Sequence, residues 1–461
     1  MRCPQYCALA LSAFLVGQIV QGAEPPADLV VLNGKIVTVN PQSSIVEAAA
    51  VREGRFVAVG ANSKVKKLVG DRTRVIDARG KTVVPGLIET HVHAIGVARD
   101  EAVQPFVQLS SIAEIQQWVR QQAQSTPKDE WMQIPRIDLT RLREGRLLAR
   151  SELDAATAEH PVVFNWQYGS RQIQVLNTAA LRAAIITRDT PDPTGGKTQI
   201  VKDAQGEPTG VLENPGGLTS KFRQSKPVSD EAFLAALKAV HRAYNRIGIT
   251  RVIERNSNAE GYRTYEKLKA AGELSVRATV TIGYTLIHAY FPNATAIRRA
   301  AELGVCVDTQ PAWYYKDGDA LAKALGENRL KHFIGLADWR KGGLKVAINS
   351  DHMHGIDPNK SLNPFNPFLA MYVAVTRRTE SGRVIGPEQR VSREQALRMA
   401  TIDAAYLSFD EKRKGSIEVG KLGDLVLLSD DLLTCDAERI KDIQPLATVV
   451  GGKVVHDALS Q

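Results

Sequence analysis

Cysteine is scarce in this chain: four in 461 residues, with two of them, Cys3 and Cys7, among the first seven. A disulfide framework is therefore excluded. Cys306 and Cys435 read as small buried hydrophobes, with one bridge between them formally open. Runs of one charge are lacking too. Lys and Arg exceed Asp and Glu by nine, yet the densest basic run, 411–414, contains its own acid, Glu411. The excess reads as solvated surface, and no nucleic-acid module is found. After the opening residues, no apolar run approaches the ~20 residues that a transmembrane helix needs. Internal repeats are absent as well.

The opening residues differ from the rest. Met1-Arg2, a 13-residue apolar run over 8–20 and the small residues Gly22-Ala23 read as a secretory signal peptide, with an uncleaved anchor as the lesser reading, and polar sequence starts at Glu24. The expectation is a chain exported to the periplasm or the exterior, with no stable membrane insertion after cleavage. Arg2 is the one charged residue lost, which lowers the formal charge from +9 to +8.

Short β-branched runs broken by Asn-Gly, Glu-Gly and Arg-Gly fill 28–84, and predict a small antiparallel sheet. The same texture returns at 415–429 and 447–456. Two such pieces at opposite ends predict one β-sandwich closed by both ends of the chain, with an inserted domain between. In that insert, strands are expected at 161–166, 250–254, 276–284, 286–289, 305–310 and 344–350. Helices are expected at 112–124, 231–247, 262–271, 294–303, 367–376 and 392–407. This alternation argues for parallel βα units and an α/β fold of the (β/α)8, TIM-like type. The Pro-, Gly- and Asp-rich stretch 189–213 reads as a surface excursion over the barrel mouth, or else a hairpin of no consequence. The expected boundaries are 1–23 for the signal peptide, 24–84 and 409–461 for the sandwich, and 85–408 for the barrel.

The chain is organised around 81–93, KTVVPGLIETHVH. Side chains two apart on a strand share a face, so His91 and His93 project together and supply half of a four-coordinate metal shell. The apolar run LKVAINSD, 344–351, ends on Asp351, and in a barrel the C-terminal strand ends converge on the active site. An Asp placed there can bind a metal and accept a proton from water. His288 in LIHAY and Glu213 in GVLEN are further candidates.

Together VLNGKIVTV, PGLIETHVHA, TPDPTGG, GEPTGVLEN, GITRV, AELGV followed by TQPAW, NSD, SREQALRMATIDAAYL and GSIEVGKLGDLVLL resemble the amidohydrolase superfamily. The likeness is to the branch containing N-substituted formamide deformylases, and it spans nearly the whole chain after the leader. It implies a metal-dependent hydrolase with a small-molecule substrate, cleaving carbon–nitrogen bonds other than peptide bonds. By the same resemblance His91 and His93 are the metal pair of the first barrel strand, and Asp351 is ligand and general base. His288 is the histidine of the sixth strand, a ligand or a carbonyl polariser, and Gln310 the glutamine of the seventh. Glu213, Gln310 and His352 are expected to touch substrate.

Departures from the pattern are informative. The family's lysine-bearing strand and its HAIGD-like strand have no counterpart. A βαβ step needs ~30 residues, yet the strand over 276–284 runs almost directly into His288, so at least one barrel unit is missing. The usual Asp-Trp-Pro is Asp351-His352-Met353, which adds His352 and His354, and a Gly-His segment is replaced by Gly169-Ser170-Arg171. The shortened barrel is expected to keep one zinc or similar divalent ion on His91, His93 and Asp351, with His288 or a new histidine completing the shell. A second ion is not expected, since it would need the bridging lysine and the missing histidine, for which Glu254 at a strand end is a weak substitute. The alternative is an inactive relative that keeps the fold and binds without turnover. Homo-oligomerisation is left open.

Overall fold

A computed structural model describes residues 24–168, 171–193, 197–219, 227–280 and 285–459. The signal peptide, Gly169-Ser170, the GG of TPDPTGG and the last residues of the strand expected over 276–284 lie outside the described residues.

Pro85 and Gly86 separate two strands with different duties. Thr82–Pro85 belongs to a six-stranded sheet, in which it lies between Lys35–Val37 and Leu425–Leu428. Val84 faces Val426 across the antiparallel pair, so opposite ends of the chain share one sheet. Beyond Gly86 the chain enters Leu87–Val92, buried at all six positions as befits a strand covered on both faces. Glycine is required between them, because a Cβ there would lie 2.3 Å from Thr250 Oγ1 and 2.6 Å from its Cγ2.

A four-stranded sheet, Arg55–Gly60, Ala48–Arg52, Leu29–Leu32 and Arg74–Asp77, shares an apolar cluster with the six-stranded one, Leu29, Val31 and Phe56 meeting Ile36, Leu425 and Val449. The antiparallel sheet expected over 28–84 is corrected in two respects. It is split between these two sheets, and Leu29–Leu32 pairs parallel with Arg74–Asp77, as Lys35–Val37 does with Thr82–Pro85. Long crossovers allow that where tight hairpins would not. Of 415–429, only Leu425–Leu428 is a strand, since Gly415 and Gly420 turn the chain at φ of +86° and +89°.

The alternating region gives six parallel strands. They form two sheets of three, Arg277–Val280, Ile249–Glu254, Leu87–Val92 and Thr285–Ile287, Cys306–Thr309, Val346–Ile348. Among the described residues, backbone pairing between the sheets is the bridge of Val92 to His352, where His93 N donates to His352 O at 2.9 Å. No closed eight-stranded ring forms among the described residues, where the sequence led to a (β/α)8-type barrel short of at least one unit. The helix expected at 231–247 is Asp230–Arg246. Ser229 caps it, and Leu237, Val240 and Tyr244 pack on Val92, Ile249 and Val252. The helix expected over 392–407 divides into Arg393–Met399 and Ile402–Tyr406 at Thr401, whose hydroxyl bonds back to Leu397 O at 2.7 Å.

The stretch 189–213 is neither a free loop nor an isolated hairpin. Gln199–Lys202 is an edge strand and Pro208–Glu213 its neighbour in a five-stranded sheet that continues through Arg171–Leu176, Val162–Tyr168 and Met132–Gln133. It has its own core of Ile115, Val119, Leu153, Phe164 and Val175. Alternation had marked one of these strands, at 161–166.

A buried ion pair ties the two parallel sheets together. Arg255, just past Ile249–Glu254, reaches Asp308 of Cys306–Thr309 at 3.1 Å and donates to Thr90 O at 3.1 Å. The Thr90 hydroxyl and Asn349 Nδ2 both donate to Asp308 Oδ1. Losing one partner strands a buried charge, so Asp308→Ala should cost ~3–5 kcal/mol. Urea denaturation checks this, and a variant within ~0.5 kcal/mol of the parent would remove the pair from its structural role.

Candidate metal centre

The strand end at Leu87–Val92 and the turn after Val346–Ile348 bring the sequence candidates together. His91 Nε2 and His93 Nε2 lie 3.2 and 3.1 Å from Asp351 Oδ1. Among the described residues, these three form the group whose ligand atoms all lie within 4.8 Å of one another. His91 and Asp351 are buried, while His93 is 28% exposed and supplies the open side. Asp351 Oδ1 and His91 Nδ1 are buried without a hydrogen-bond partner. Two imidazoles and a carboxylate with orphaned acceptor capacity fit a divalent cation of borderline softness, zinc among them.

Backbone strain marks the same places. Asp351 has φ of +51°, and His288 and Ala289 have +70° and +43°. Left-handed backbone at non-glycine residues costs ~1–3 kcal/mol each and gathers where geometry matters for function. Asp351 is held there by Asn349, which accepts from its N–H at 3.1 Å, and by Asn363, whose Nδ2 donates to its carbonyl at 2.5 Å.

His288 stands beside the trio, outside the group of three. Its ring centre is 5.6 Å from that of His91. Gln310 Nε2 donates to Asn349 Oδ1 at 2.9 Å, which leaves Gln310 Oε1 to accept from His288 Nδ1 at 3.0 Å. The neutral ring then carries its proton on Nδ1, and Nε2 is an acceptor; it donates outward only when protonated. Tyr290 and Trp313 flank this ring with centres 5.4 and 6.0 Å away. Gln310, expected at substrate, is fully buried and bonded to side chains on both sides.

The remaining candidates fall elsewhere. His352 is wholly buried, with Nδ1 2.8 Å from Tyr244 Oη and Nε2 2.6 Å from Gly355 O, and its ring packs on Phe365 at 4.1 Å. With both nitrogens engaged inside the core, it offers substrate nothing. Glu213 lies in the five-stranded sheet, paired with Arg171 at 2.9 Å. Glu254 accepts from Tyr265 Oη at 2.7 Å and from the N–H groups of Ala94 and Ile95 at 3.1 and 3.3 Å. It thus caps the helix that follows His93.

Glu89 was missed from sequence, although it shares the face of His91 and His93 by the same two-residue period. Its Oε1 accepts from the N–H groups of His91 and Ser350 at 3.1 Å each and so joins the two halves of the site. A cavity of about 500 Å³ also went unforeseen; Phe106, Trp166 and Gln174 of the inserted region line it together with Asp100 and His354. His354 Nδ1 pairs there with Asp100 Oδ2 at 2.8 Å.

Burial sets the protonation of the buried groups. It pushes Glu89 up to about 8 and Glu254 up to about 7, and lowers His91 to about 4 and His241 and His352 to about 3. Burial works to lower His93 as well, but the adjacent Asp351 carboxylate outweighs it, and the net direction is upward. Below pH 6.5 the unfolded chain binds protons on three histidines that the native chain refuses, so stability falls with falling pH towards 4 and 3. Above pH 4.5 the native chain keeps protons on two glutamates that the unfolded chain releases, so their stabilisation fades up to 7 and 8. Between 4.5 and 6.5 three histidines outweigh two glutamates. These groups therefore place the melting maximum of chelator-treated protein near pH 6.5, and a Tm still rising at pH 8 would contradict the assignment.

The profile of the amidohydrolase family matches residues 74–283 and 280–456. Its two stretches overlap at residues 280–283. The chain is similar to an N-substituted formamide deformylase of Arthrobacter pascens, with 24% identity over 93% of this chain and 98% of the relative. That alignment runs 546 positions, longer than this chain's 461 residues. It is similar also to the putative amidohydrolase YtcJ of Bacillus subtilis strain 168, with 23% identity over 92% of this chain and 98% of the relative. Among solved structures, a metal-dependent hydrolase of Pyrococcus horikoshii shares the fold, with a TM-score of 0.63 at 17% identity over 89% of this chain and 99% of the other. With the family's pattern running through nearly all the described chain and its histidine pair and aspartate brought together in space, this chain belongs to the amidohydrolase family and is a hydrolase.

Proposed function

We propose that His91, His93 and Asp351 hold one divalent ion, zinc by ligand preference, and that the enzyme hydrolyses the C–N bond of a small N-formyl or N-acyl amine. The convergence of two Nε2 atoms on the orphaned Asp351 Oδ1 carries this reading. A bound ion supplies Lewis acidity and lowers the pKa of a water.

The chain's own residues do the rest. Asp351 receives the proton of the attacking water and returns it to the leaving nitrogen, which would otherwise depart as an unstable amide anion. Its left-handed backbone and the Asn349 and Asn363 contacts fix where that proton is taken. His288, in its protonated form, donates from Nδ1 to Gln310 and from Nε2 to the oxygen that gains charge, while Tyr290 and Trp313 exclude water on that side. The cavity between His354 and Trp166 supplies room for the acyl or amine substituent. Family resemblance to a formamide deformylase supports the substrate class, and the leader over 1–23 supports action outside the cytoplasm.

A panel of N-formyl and N-acyl amines tests the reading. Turnover should vanish with chelator and return with metal, and Asp351→Asn should lower kcat by ~10²–10⁴ with KM little changed, because an amide cannot take the proton. Turnover by Asp351→Asn at the parent rate would refute the role of Asp351. A metal-loaded protein that turns over none of the panel would favour the binding protein that has lost catalysis.

A further inference from the structure

At the opposite end of the strand that leads to Asp351 lies a second cavity of about 430 Å³. Its charged lining is Arg340, Lys341, Lys345, Arg390, Arg398 and Asp403. Five cations face one carboxylate, an excess of four positive charges in one concavity. Lys345 immediately precedes Val346–Ile348, so this site sits at the N-terminal strand ends, away from the metal candidates at the C-terminal ends.

The single acid is already committed. Asp403, 4% exposed, takes Arg340 Nη1 at 2.9 Å and Lys345 at 3.9 Å. Two other guanidinium groups are held by backbone carbonyls, Arg390 Nε by Thr376 O at 3.1 Å and Arg398 Nη1 by Val39 O at 3.4 Å. One nitrogen of each fork is thereby fixed and the others remain for a ligand. Arg340 Nε is buried with no hydrogen-bond partner. Like charges brought together in a concave, low-dielectric wall repel one another, and the field they focus concentrates counter-ions of opposite sign. Planar guanidinium forks match phosphate and carboxylate oxygens two at a time.

We propose that this cavity is a binding site for a small oxyanion bearing at least two negative charges, phosphate- or carboxylate-based, independent of the hydrolytic site. Isothermal titration of the full-length protein with inorganic phosphate, pyrophosphate and citrate, in ~0.15 M salt to screen diffuse attraction, tests it. Saturable one-site binding is expected. Lys341→Gln/Lys345→Gln, at exposed positions, should weaken it at least ~10-fold, whereas Asp403→Asn, which removes the opposing charge, should tighten it. Binding should persist unchanged in His91→Ala and in Lys64→Gln/Lys67→Gln, in the helical turn over 62–68. Preference for pyrophosphate over citrate assigns a phosphate ligand, and the reverse assigns a polycarboxylate; either supports the site. Lack of saturable binding to all three probes, loss of binding in His91→Ala, or an equal loss in Lys64→Gln/Lys67→Gln would overturn it.

Discussion

The geometry of this protein depends on a charge that has been taken out of water. Arg255 and Asp308 meet between two three-stranded parallel sheets, with side chains 7% and 0% exposed. Isolated, either charge would be ruinous there; paired, and with Thr90, Asn349 and the Thr90 carbonyl satisfying the remaining valences, they fix the sheets in register. The same network runs on through Asn349 to Gln310, His288 and the N–H of Asp351. Holding the sheets together and aiming the site residues are thus one set of bonds. Between the two parallel sheets, among the described residues, this side-chain lattice bonds one sheet to the other.

The outer strands are secured from the other direction. Arg277, at the start of Arg277–Val280, makes a bidentate pair with Asp424 at 2.8 and 2.9 Å, and Asp424 also accepts from Gly451 N. Arg251 of the middle strand reaches Asp410 at 3.0 Å. Both acids come from the C-terminal part of the chain, Asp424 immediately before Leu425–Leu428, and they tie that part to the parallel sheet of Ile249–Glu254 and Arg277–Val280. That leaves the C-terminal strand ends free to carry strained, functional backbone, the usual division of labour in α/β proteins.

What could be read from sequence followed the range of each signal. Two-residue and 3.6-residue periods are local, and they marked a helix near Pro367–Thr376 and placed His91 and His93 on one face. Asp351 was legible because an apolar run ended on it, and the missing unit because 276–284 ran straight into His288. Other features depended on partners far along the chain. The five-stranded insert was hidden because the pairings that assemble its two hairpins and Met132–Gln133 into one sheet span 30 residues or more, as Ile173 does with Glu213. His352 looked like a substrate contact from its neighbours in sequence, whereas Tyr244, more than a hundred residues away, takes its nitrogen. Glu254 shows the same dependence: it stood at a strand end in the sequence, and the donors that reach it, Tyr265 and the N–H groups of Ala94 and Ile95, make it a helix cap.

The central claim is that the trio holds a catalytic ion despite the shortened layer, and locating metal in the purified protein tests it most directly. Elemental analysis together with anomalous diffraction should find one ion per chain, ~2.0–2.3 Å from His91, His93 and Asp351. Stoichiometric metal bound elsewhere, or none at this position in protein supplied with zinc, would contradict the account.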